Sequence, residues 1–77
     1  MKISEMTELD PVERSRTYVF SRCYDGLQFD DKTTFYDVTH LYVSDSGTHR
    51  LLTADGKLHI VPSEWKYITI EADDWTV

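Results

Sequence analysis

Seventy-seven residues carrying 14 Asp and Glu against 8 Lys and Arg make room for one small acidic domain, with a formal charge of −6. With 40% apolar and 13% aromatic residues the chain is too rich for a disordered tail, and area scaling has it bury roughly 60% of its unfolded surface, too little for a deep enclosed site. No stretch approaches the ~18 apolar residues of a membrane span, MKISEMTELD has no apolar signal core, and the acid excess disfavours direct binding to nucleic acid or a membrane surface.

Cys23 is the single cysteine, so neither an internal disulfide nor a multi-cysteine zinc site is open to the chain. That usage suits a reducing compartment, which is read as cytoplasmic.

Residues 1–16 read as an N-terminal arm. Asp10-Pro11-x-Glu13 is a helix-start signal, with Asp10 as cap, Pro11 at the first helical position and Glu13 reaching back. The apolar spacing stops at Val12, so only a short helical turn or irregular arm is expected. Residues 17–77 read as a single β domain. Thr17–Tyr24 is β-branched and aromatic, and Asp25-Gly26 ends it with a dipeptide that accepts the positive φ of a hairpin turn. Leu27–Phe29 is a short extended piece, and Asp30-Asp31-Lys32 reads as a polar turn. Thr33–Val43 is the longest β-prone run, apolar on both parities, as expected of a strand covered on both sides or bent.

Ser44–Gly47 is the next turn, followed by strands His49–Thr53 and Leu58–Val61 around Asp55-Gly56. Two registers are open there. A two-residue turn pairs Leu51 with Ile60, and a three-residue turn with a bulge at Gly56 pairs Leu52 with Leu58; the choice decides which leucine is buried. Pro62 ends the strand, Pro62–Trp65 has the length of one 3₁₀ turn, and Tyr67–Ala72 is the last strand. The expected fold is all-β: a small five-stranded antiparallel, partly open barrel behind a short N-terminal helical turn or arm.

The second half resembles a Src-homology-3 domain in order and spacing. Tyr24-Asp25-Gly26 and Asp30-Asp31 look like pieces of the family's acidic loop, TADGK like its distal hairpin, and Ile60-Val61-Pro62-Ser63-Glu64-Trp65 like its Pro-Ser-Asn-Tyr segment. The resemblance implies a small barrel and places Pro62, Trp65 and Tyr24 where the family lines its proline-rich-peptide groove. The family's adjacent Trp pair is missing, with His49-Arg50 near its place, so the resemblance supports the barrel and not that ligand.

Candidate chemistry is sparse. His40, His49 and His59 with Asp37 or Asp45 could form a metal shell, but their spacing matches no metal motif. Cys23 lacks a visible oxyanion loop. Asp30, Asp31 and Asp37 lack the spacing of a calcium loop, and no nucleotide or catalytic-serine motif is present. No cofactor and no enzymatic activity are expected. The aromatics are more numerous than one small core encloses, and with acids among them they suit a protein-binding face.

The expected role is an accessory or inhibitory interaction module, of the kind found in phages and mobile elements. Its partner would be a protein with a basic surface, bound through Tyr24, Asp30, Asp31, Trp65 and Trp75. A structural β subunit of a larger assembly and a metal- or thiol-dependent enzyme are the alternatives.

Overall fold

The computed structural model describes residues 2–73. After a 3₁₀ turn at Ile3–Glu5, the chain forms five strands, β1 (Thr7–Tyr24), β2 (Leu27–Val43), β3 (His49–Thr53), β4 (Leu58–Val61) and β5 (Trp65–Ala72). They make one antiparallel sheet in the order β4-β3-β2-β1-β5. The first four strands are a meander, and β5 returns to pair with β1. The edge strands β4 and β5 do not join, so the all-β, five-stranded sheet curls without closing into a barrel.

The two long strands are bent. At ~3.3 Å per residue an 18-residue strand such as β1 would span ~59 Å if straight, yet the longest dimension of the molecule is 43 Å. The bends coincide with breaks in register. Between Glu8 and Glu13, β1 advances further than its partner β2 does between His40 and Val38. Pro11, which has no N–H for a ladder, sits inside that bulge. On β2, Asp37 adopts a left-handed φ of 54° next to the shift between Val38 and His40.

A further bulge reverses the faces of β1. Glu13 pairs with Ala72 and Ser15 with Glu71, so two steps on β1 match one on β5. On a regular strand Glu13 and Arg16, three apart, would point to opposite sides. The extra residue turns both inward, and both are buried. Arg14, left outside, bonds Glu71 at 2.8 Å and Asp73 at 2.9 Å.

Three turns follow the local chemistry. Asp25 and Gly26 both take positive φ, at 53° and 77°, as a two-residue type I′ turn requires. Ser44–Thr48 closes through Gly47 N–H to Ser44 C=O at 2.9 Å. At the β3–β4 hairpin, Gly56 N–H bonds Thr53 C=O at 2.9 Å and Thr53 N–H bonds Lys57 C=O at 3.1 Å, a three-residue turn with Gly56 at φ 83°. Leu52 therefore pairs with Leu58, and Leu51 is the fully buried leucine.

The core is Tyr18, Phe20, Val38, Leu51 and Val61, with Phe35, Trp65 and Ile68 among the groups packed against it. Three expectations change. Residues 7–16 are strand, so Asp10-Pro11-x-Glu13 starts no helix and the helical turn lies at Ile3–Glu5. Asp30-Asp31-Lys32 is no turn but the middle of β2, because β1 supplies partners across it. Ser63 and Glu64 form a turn without a 3₁₀ helix, and β5 begins at Trp65.

Candidate protein-binding surface

The β1–β2 hairpin outruns the rest of the sheet. β5 reaches along β1 only to Phe20, and β3 meets β2 only from Val38 onward. Every residue from Ser21 to Thr34 is exposed. The two-residue turn sets Tyr24 opposite Leu27, Arg22 opposite Phe29 and Phe20 opposite Asp31. Directly opposed residues of an antiparallel pair share a face. One face of the hairpin thus runs from the buried Tyr18 and Phe20 out to Phe29, Leu27 and Tyr24, which are 50%, 72% and 77% exposed. The row that builds the core continues into solvent.

Charges mark where core gives way to tip. The Arg22 guanidinium lies over the Phe20 ring at 4.9 Å and reaches Asp31 at 3.7 Å. Asp30 points to the other face and accepts from Lys66 Nζ at 3.1 Å, tying the hairpin to the start of β5. Both ion pairs are largely solvent-exposed and contribute little to stability.

The structure separates the residues proposed for the face. Tyr24 is at the tip, and Asp30 and Asp31 lie midway along the hairpin. Trp65 is opposite Phe20 and packs edge-on to Tyr18 at 5.3 Å between centroids, so it belongs to the core. Tyr24 lies four residues beyond Phe20 on β1, ~13 Å further along the strand. Tyr24 and Trp65 are therefore not brought together. Trp75 lies outside the described residues. Sequence reasoning missed Leu27 and Phe29. Their signal was the spacing across Asp25-Gly26, which puts them on the same face as Tyr24.

A buried polar cluster stands at the hairpin's root. Arg16 Nη1 donates to both oxygens of Glu13, at 2.7 and 3.1 Å, and Arg16 Nε donates to the Tyr18 hydroxyl at 2.8 Å. That hydroxyl lies 2.7 Å from His49 Nδ1, and Arg16 Nη2 lies 3.4 Å from the same nitrogen. Since Tyr18 accepts from arginine, its own proton goes to His49, whose Nδ1 must be an unprotonated acceptor. Burial, and then the neighbouring arginine, lower the His49 pKa; burial raises that of Tyr18. One carboxylate, one guanidinium and two neutral groups leave no net charge inside. With every member bonded to another, the arrangement is a structural one.

The other chemical candidates are dispersed. His59 stacks on Phe35 at 4.7 Å and meets Thr53 Oγ1 at 3.3 Å, while His40 contacts Thr39. Cys23 is exposed near the hairpin tip. Among the described residues no three His, Cys, Asp or Glu side chains gather in metal-ligand geometry, and no helix is long and apolar enough to cross a membrane. Compared with known proteins, the chain matches no family model, no curated protein and no solved structure.

Proposed function

We propose that the chain is a non-enzymatic interaction module that works in the cytoplasm by docking its β1–β2 hairpin on the basic surface of a protein partner. The observation that carries this reading is the projecting apolar face of Tyr24, Leu27 and Phe29, beyond the point where either flanking strand ends. A hydrogen-bonded two-stranded ribbon bearing large apolar groups presents contact area with its backbone already paired, and such groups supply most of the energy of an interface. Asp25, Asp30 and Asp31 outnumber Arg22 and Lys32 along the same hairpin, Asp25 stands at its tip, and the whole chain has a charge of −6. That distribution favours a partner rich in Lys and Arg and speeds its approach.

The test is partner capture with a photo-crosslinking residue at position 27, compared with one at position 45. Crosslinks confined to position 27, and lost in a Leu27→Ser, Phe29→Ser variant that melts normally, are the expected result. Equal crosslinking from both positions would defeat the reading. Capture should also weaken as salt is raised.

A further inference from the structure

The hairpin offers a second kind of contact besides its apolar tip. Register between β1 and β2 is unbroken from Tyr24–Leu27 to Ser15–Tyr36. The pair closing a two-residue turn exchanges both of its backbone hydrogen bonds, and bonded pairs alternate from there. Leu27, Phe29, Asp31, Thr33 and Phe35 therefore turn their N–H and C=O groups toward β1. Gln28, Asp30, Lys32, Thr34 and Tyr36 turn theirs away, along an edge that β3 does not cover.

We propose that this edge of β2 takes an extended segment of the protein partner as an added antiparallel strand, with a Lys or Arg at the segment's N-terminal end seated beside Asp55. The inference rests on the protein-binding reading and specifies how the partner is held.

Polarity and charge define the occupant. An added strand antiparallel to β2 continues the line of β3, so its first residue meets the β3–β4 turn. There the chain leaves the sheet, with Ala54 N–H bonded to Asp37 C=O at 2.9 Å. An open cleft of about 210 Å³ lies at that point between Thr34 and Tyr36 on one side and Thr53, Asp55 and His59 on the other. Asp55 accepts from the Thr53 hydroxyl and from Lys57 N–H at 3.2 Å, bonds that hold its pKa below the ordinary value. Its other oxygen is 3.9 Å from the exposed Lys57 ammonium. Asp37 adds a second exposed acid next to the same turn. A cation suits this end of the edge. Further along, the segment's residues on the Tyr18 face would lie beside Phe35, Thr33, Asp31 and Phe29 in turn, which calls for apolar groups at the two ends of that row and polar ones between them.

A second copy of this chain fits the edge poorly. A two-fold axis centred on Asp30 or Lys32 sets that charge opposite itself. Centred on Asp31, it pairs Asp30 with Lys32 but sets Asp31 opposite itself and brings the copy's Asp25 to the Asp37 end of the edge, where acids already stand.

The test selects a displayed library of random ten-residue peptides against the intact protein. Peptides with Lys or Arg at the N-terminal end, followed by two apolar residues six positions apart in register with Phe35 and Phe29, are expected to be enriched. Lys32→Pro and Gln28→Pro each remove one outward N–H and leave the β1 ladder intact. Each should weaken the enriched peptides by about tenfold, the value of one or two lost hydrogen bonds. Asp55→Asn should weaken peptides that carry the basic residue and leave versions with Ser in its place unchanged. In the unaltered chain, peptide binding should slow amide exchange at Gln28, Asp30, Lys32, Thr34 and Tyr36. That measurement stands even if a proline variant unfolds.

No enrichment, undiminished binding to the proline variants, or no protection at these amides would overturn the proposal. Binding lost only in Leu27→Ser, Phe29→Ser would also overturn it, while keeping the docking reading. So would a concentration-dependent dimer abolished by Lys32→Pro, which would assign the edge to a second copy.

Discussion

The imidazole of His49 and the indole of Trp65 lie 4.4 Å apart between ring centroids, although β2 and β1 stand between their strands in the sheet. In a flat sheet, three strand spacings would separate them by ~14 Å. The curl set up by the bulges of β1 and β2 removes that distance and folds β3 and β4 over the face carrying Tyr18. Tyr18 lies edge-on to both rings, at 5.6 and 5.3 Å. A polar cluster of arginine, tyrosine and histidine therefore sits under an aromatic lid, and its bonds are shielded from competing water.

Stability should fall on mild acidification because of His49. Its folded pKa is held below 6.5, by burial and then by the arginine. Below 6.5 the unfolded chain takes up a proton that the folded chain resists, so the unfolded state gains. Stability is complete above 6.5, declines as pH drops below it, and levels off beneath the folded pKa, with a slope of at most ~1.4 kcal/mol per pH unit for one proton. Asp55 acts in a separate window, since its depressed pKa stabilises only above about its ordinary 3.8. Urea midpoints should therefore hold level from about pH 8 down to about pH 6.5 and fall towards about pH 5 in the wild type, and that fall should be absent in His49→Phe. A flat wild-type profile would contradict a neutral, buried His49.

Glu13→Gln should destabilise the fold by ~3–5 kcal/mol, because it strands the buried Arg16 charge. Tyr18→Phe should cost ~1–3 kcal/mol, as Arg16 Nε and His49 Nδ1 both lose a partner. The two losses should fall short of additive, since both changes act on Arg16. Chemical denaturation of the single and double variants measures this.

Gly56→Val should cost ~1–2 kcal/mol from backbone strain at its left-handed φ. A Cβ there meets nothing within 4 Å, so crowding contributes no part of the loss. Gly47 differs: its added Cβ would come within 3.1 Å of Ser63 Cβ, and Gly47→Ala carries a steric cost as well. A thermal melt of each variant reads the difference.

Trp65→Ala should unfold or destabilise the domain by ~3 kcal/mol, as truncation of a packed aromatic does. Leu27→Ser and Phe29→Ser should each shift stability by no more than ~0.5 kcal/mol, as expected of exposed positions. Circular dichroism melts separate the two groups before any binding is measured.

Much of the architecture is legible in the residues. β-branched runs broken by Asp25-Gly26, Ser44–Gly47 and Asp55-Gly56 mark an antiparallel meander, because each dipeptide or tetrapeptide supplies the φ its turn needs. The strand character of Thr7–Arg16 is not legible. TELDPVERSR has no apolar alternation, and it becomes strand because bulges absorb Pro11 and rotate Glu13 onto Arg16. Asp30-Asp31-Lys32 reads as a turn by polarity alone, yet both faces of the hairpin are exposed there and tolerate charge. The choice between Leu51 and Leu52 is one of register, which two compatible turns leave open. Trp65 follows a Pro-Ser turn and looks peripheral; only the curl of the whole sheet makes it core.

The strand order has a kinetic consequence. β1 pairs with β2, β2 with β3 and β3 with β4, each joined by a short turn, whereas β5 must travel back past all of them to reach β1. Loop closure of that length comes late in a folding reaction. The meander can gather during synthesis, but Tyr18 lacks Trp65 and Ile68 until β5 has emerged. Up to that moment the β1 edge stands open, a state in which a chaperone or a premature partner would find its target.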